Sequence, residues 1–67
     1  MKECTRVVVE SGDYMSFTTE GFYQNASKIM YHAPTKELTQ PWVEVSTKDG
    51  FTTIYFNIIE VTYKSNE

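Results

Sequence analysis

The stretch WVEVSTKDGFTTIYFNIIEVTY, residues 42–63, decides the fold of this chain. Val43 and Val45 share one face of an alternating run, Lys48-Asp49-Gly50 supplies a turn, and Ile54, Phe56 and Ile58 share a face after it. Asp-Gly between two alternating runs is a strong hairpin signal, because the turn needs residues that accept positive φ. The alternation then slips. Counted back from Tyr63, the apolar parity holds Ile59, Val61 and Tyr63 instead. Period two cannot keep both sets on one face unless an extra residue intervenes, at a β-bulge or a short turn. The slip is therefore expected to be a corner over 57–59 that lets Ile54, Phe56, Ile59 and Val61 share one core.

Working outward, TRVVVE (5–10) and YMSFTT (14–19) flank the turn signal Ser11-Gly12-Asp13, and Met15 and Phe17 share a face. Two short β runs around a glycine turn read as a second hairpin. The middle, GFYQNASKIMYHAP (21–34), carries two periodicities. Phe22, Ala26, Ile29, Met30 and Ala33 match one helical face, whereas Ile29 and Tyr31 alternate against Lys28, Met30 and His32 as a strand does. Residue types favour a strand at about 27–33, with one helix over 21–32 as the rival. Pro34 ends either element, and PTKELTQP (34–41) is a proline-bracketed loop. The chain has two alanines and one leucine, a poor supply of strong helix formers. The expected fold is all-β, a small five-stranded antiparallel barrel or strongly bent sheet; the alternative is α+β with one helix over about 21–32.

Sixty-seven residues make a single domain, 1–67. A chain of this size buries only about 60% of its unfolded surface, so its core needs supplementing. Cys4 is the only cysteine, which rules out an intrachain disulfide, and His32 is the only histidine, which leaves a poor ligand set for structural zinc. No metal or cofactor is expected. Oligomerisation or a well-packed aromatic core remains; because a short open sheet leaves edges to be covered, a homodimer or higher oligomer is expected. MKECTRVVVESGD at the start has only a three-valine apolar run, too short for a secretory signal or a membrane helix. With a single thiol, the chain reads as cytoplasmic. Net charge is −3, with the six cations dispersed among nine acids. That balance disfavours nucleic acid, whose binding needs a basic patch.

A strand ending in hydrophobics, a one-residue slip and a short final strand resemble the end of an Sm-like small β-barrel. Where that family has an Arg-Gly step this chain has Asn57-Ile58, and its aspartate–asparagine pair has only a loose echo in 21–25. None of the family's RNA-binding residues is therefore carried over. With its IYFNIIEVTY ending, the chain is also similar in style to short β-rich proteins of phages and prophages of Gram-positive bacteria. That resemblance implies an accessory protein acting by binding, on a host enzyme or a defence component.

Catalytic arrangements are thin. Cys4 and His32 are a nucleophile and base in principle, but nothing in the sequence brings them together and no glycine-rich loop or partner carboxylate marks an oxyanion site. Glu44 and Glu60 fall on strand positions that ordinarily face water. The chain is read as non-enzymatic. Aromatic residues make up 15% of it, more than a core this small can hide. Phe17, Phe56 and Phe22 are the natural core members. Trp42, Tyr14, Tyr23, Tyr31, Tyr55 and Tyr63 are then the candidate binding residues, since tyrosine and tryptophan are favoured interface anchors. The expected function is binding and modulating or inhibiting a host or defence protein through an aromatic face or strand edge. The alternative is a small-barrel (Sm/OB-like) single-strand nucleic-acid binder that stacks bases on the same side chains.

Overall fold

A computed structural model describes residues 1–21 and 26–65. It has six antiparallel strands: β1 (Lys2–Glu10), β2 (Tyr14–Thr18), β3 (Lys28–His32), β4 (Trp42–Ser46), β5 (Thr52–Tyr55) and β6 (Ile58–Tyr63). No helix occurs among the described residues. The middle segment forms a strand because Ile29 pairs with Cys4 on one side and Val45 on the other, and period two then buries it completely. Phe22 and Tyr23 lie outside the described residues.

The nine-residue β1 organises the sheet. β6 runs along one of its edges. β2 and β3 succeed one another along the other, with Arg6 to Glu10 paired to β2 and Lys2 to Cys4 paired to β3. β4 and β5 follow in turn, so six strands make a sheet five positions wide. The sheet curls into a half-barrel, bringing Phe17 of β2 against Tyr55 of β5 with ring centroids 5.4 Å apart.

The concave face holds the core. Cys4, Val7, Val9, Ala26, Ile29, Val43 and Val45 are buried, and Met15, Phe17, Tyr31, Tyr55, Ile58 and Val61 pack against them. Fully burying a branched aliphatic side chain stabilises by about 1.5–3 kcal/mol, so these few residues supply much of the driving force. Both hairpins turn through a glycine at positive φ, Gly12 at 81° and Gly50 at 94°.

Two sequence expectations are corrected on the C-terminal side. The β4–β5 register sets Tyr55 opposite Val43 and Thr53 opposite Val45, while Ile54 sits opposite Glu44 on the convex face. The reason is the turn. Thr47 N–H donates to Phe51 O at 2.8 Å, leaving a three-residue loop at 48–50. A two-residue Asp-Gly turn would have set Ile54 opposite Val45, and a one-residue change of register reverses every side chain of a strand. Ile54 and Phe56 are therefore 50% and 44% exposed, and Tyr55 takes the inward place.

The slip at Ile58-Ile59 is a bulge, with the inward residue on its other side. Val9 pairs with Ile58 and Val8 with Glu60, so Ile59 is the extra residue. Ile58 and Val61 both pack inward, and Ile59 is 56% exposed. Just before the bulge, Phe56-Asn57 forms the corner that carries the chain from the edge of β4 to the edge of β1.

Candidate interaction site

The aromatic candidates separate into distinct environments. Tyr14 pairs with Glu10 and Tyr31 with Lys2, eight residues apart along β1, which is about 26 Å of strand. Tyr14 is thus isolated at one end of the sheet and exposed. Tyr55 belongs to the core margin against Phe17. Tyr31, Tyr63 and Trp42 come together at the opposite end, where β1 begins.

Register places them there. Cys4 pairs with both Ile29 and Tyr63, which brings β3 and β6 to the two sides of β1. The rings of Tyr31 and Tyr63 meet edge to face across it, with centroids 6.0 Å apart. Lys2 Nζ lies 4.8 Å from the Tyr63 ring centroid, a cation–π contact that sets an ammonium over a half-exposed ring. Lys64 Nζ is 3.5 Å from Glu3 Oε2 at the same end.

On the convex side of this end, Trp42 pairs with His32. Their rings stack at 3.8 Å with planes 6° apart. The imidazole is held from the next position as well, its Nε2 lying 2.6 Å from Glu44 Oε1. A ring fixed by stacking and by a carboxylate gives Trp42 a rigid backing, and rigid aromatics lose little entropy on contact. Beyond it, Thr35 N–H donates to Leu38 O at 2.8 Å and Leu38 N–H to Thr35 Oγ1 at 3.0 Å. That turn holds Leu38 up and exposed.

Two open clefts result. One, of about 420 Å³, is lined by His32, Ala33, Pro34, Leu38 and Trp42 with Met1. The other, of about 380 Å³, is lined by Met1, Lys2, Tyr31, Ala33 and Tyr63. They adjoin through Met1 and Ala33, and their shape suits protruding side chains more than an enclosed small molecule.

Groups suited to covalent chemistry do not converge. Cys4 lies on the buried concave face and His32 on the convex face, so the strands between them keep thiol and imidazole apart. Burial pushes the Cys4 thiol above its ordinary value of 9.0, Tyr31's backbone lowers it, and the nearby Glu3 charge raises it further. The net effect makes it a poorer nucleophile. Glu44 is engaged by His32, and Glu60 by Arg6 Nη1 at 2.7 Å. Among the described residues no group of three or more His, Cys, Asp or Glu could hold a metal ion, and no helix is long and apolar enough to cross a membrane.

The participation of Met1, Lys2, His32 and Leu38 in this end was not readable from their spacing. Only the β3–β4 register reveals that His32 backs Trp42, and only the turn at Thr35 shows why the proline-bracketed loop presents its leucine. No protein-family profile, curated protein or solved structure matches the chain.

Proposed function

We propose that this chain is a non-enzymatic binding protein, a phage-type accessory protein that modulates or inhibits a host or defence protein through the aromatic end of its sheet. The observation that carries this reading is the convergence of Tyr31, Tyr63 and Trp42 with Met1 and Leu38 around two adjoining clefts. Aromatic and methionine side chains are enriched in interface cores and lysine is depleted there, which fits a protein partner contacted mainly on the Trp42 side. The net charge of −3 supports the same choice.

One feature favours a second reading. Lys2 stands over Tyr63 with Lys64 close by, an arrangement that can stack a base and neutralise its phosphate. The two readings part in one experiment. Immobilised protein is used to capture partners from host lysate with and without nuclease, over a salt series, beside Trp42→Ala and Tyr63→Ala variants checked by circular dichroism. A protein partner gives capture that resists nuclease, depends weakly on salt and is lost in folded Trp42→Ala. Capture abolished by nuclease and falling steeply with salt selects the nucleic-acid reading instead. Capture that neither folded variant weakens overturns the assignment of this end as the site.

A further inference from the structure

The outer edge of β6 carries a self-complementary pattern. Among the described residues β6 pairs only with β1. Lys64 N–H donates to Glu3 O at 3.0 Å, so the backbone groups of Lys64 face β1. By alternation those of Thr62 and Glu60 do too, and those of Val61 and Tyr63 point away, toward whatever lies beside the edge. Side chains alternate with them. Glu60 and Thr62 lie on the convex face with their partners Val8 and Arg6, and Lys64 beside Glu3 continues that row. Val61 and Tyr63 lie on the concave face with Val7 and Cys4.

We propose that this edge pairs with a second copy of the chain, antiparallel, with the two-fold axis at Thr62. Val61 then exchanges both backbone hydrogen bonds with Tyr63 of the second copy, and Tyr63 with Val61 of the second copy. Glu60 stands opposite Lys64 of the second copy, and the two-fold repeats that pair. Charge selects this register. Moving the axis to Val61 sets Glu60 against threonine and Lys64 against Ile58. A parallel pairing sets Glu60 beside Glu60. Arg6 on one side of Glu60 and Glu3 beside Lys64 extend the row into alternating charge across both copies. On the concave face, the half-exposed Tyr63 ring gains Val61 of the second copy as a neighbour, which lengthens a thin core. The open edge of β5 has only Thr52, Thr53, Ile54 and Tyr55 and no charge to fix a register.

The test is the association state of the full chain by light scattering and sedimentation from micromolar to millimolar concentration. The wild type is expected to be a concentration-dependent dimer. K64E sets a carboxylate against Glu60 at two symmetric places and is expected to weaken the dimer by about tenfold, while E60K/K64E restores opposite charge and recovers it. Backbone amide exchange on the wild type gives a second measure: Val61 and Tyr63 amides slow as concentration rises, and those of Thr52–Tyr55 do not. A monomer throughout overturns the proposal, as does a dimer indifferent to K64E or one whose Val61 and Tyr63 amides exchange as in the monomer. Failure of folded E60K/K64E to recover overturns the register.

Discussion

Strands β1, β3 and β4 hide their aliphatic side chains, whereas β5 and β6 leave much of theirs in water. Val7, Val9, Ile29, Val43 and Val45 have essentially no exposure, while Phe51, Ile54, Phe56 and Ile59 of the C-terminal arm are among the most exposed large hydrophobics of the molecule. The residue types are alike, so the difference is positional. A central strand has neighbours on both edges and a concave face to fill. Among the described residues the arm is held at one edge of each strand, and its turn length directs Ile54 outward. Hydrophobicity in the first region is spent on folding. In the second it is left over, and large exposed apolar surface on a small domain is characteristic of contact surfaces.

The sharpest way to break this contrast is a pair of truncations. Ile29→Ala is expected to cost about 2–5 kcal/mol, enough to unfold much of so small a domain. Ile54→Ser is expected to stay within about 0.5 kcal/mol of wild type. Urea unfolding of both variants checks it, and similar losses at the two sites would show that the arm is packed after all. A smaller effect tests the turn that separates the regions. Gly50 at φ 94° has open space around a Cβ, so Gly50→Ala meets strain without a clash. A loss of about 1 kcal/mol is expected, lowering Tm by about 4–8 °C.

The smallest effect concerns the buried thiol. Because burial raises the folded pKa of Cys4 above 9.0, the unfolded chain releases this proton first as pH rises. The stability this provides is complete below about pH 9 and is lost as pH climbs from there through the folded pKa. Unfolding of wild type and Cys4→Ala compared across that window should show a steeper alkaline decline in wild type. A thiol reagent at neutral pH should label native Cys4 far more slowly than denatured chain.

Much of this architecture was legible in the residues, for reasons that mark where legibility stops. Both hairpins announced themselves through glycine turns between alternating runs, and Val43, Val45, Met15 and Phe17 fell on the face expected of them. The slip at Ile58-Ile59 was visible as broken parity. Which side of it faced inward was not, because alternation fixes a strand's faces only relative to each other. On β5 the absolute choice came from a loop one residue longer than Asp-Gly alone requires, which put Tyr55 inward in place of Ile54 and Phe56; on β6 it came from the pairing of Val9 with Ile58, which left Ile59 outside. The candidate site was legible as a surplus of aromatic residues but not as a place. Tyr31 and Tyr63 are neighbours only because β3 and β6 flank the same end of β1, and Trp42 shares that end on the convex face only because β4 pairs with β3, long-range registers that no local pattern encodes.

The β1–β6 ladder contains one more consequence. Cys4 pairs with Tyr63 and Val9 with Ile58, five steps on each strand (9 − 4 and 63 − 58), although Thr5 is extra on β1 and Ile59 is extra on β6. The two irregularities cancel, so each strand keeps its partner's length between the same two anchors. Each extra residue nevertheless belongs to its own bulge, and removing it leaves the pairs on either side consecutive. Deleting Ile59 keeps Ile58 opposite Val9 and Glu60 opposite Val8, with Ile58 still inward. Deleting Thr5 keeps Cys4 opposite Tyr63 but removes the carbonyl that accepts from Thr19 N–H, so it also loosens the end of β2. In a library of single deletions scored for soluble expression, loss of Ile59 should survive better than loss of Thr5.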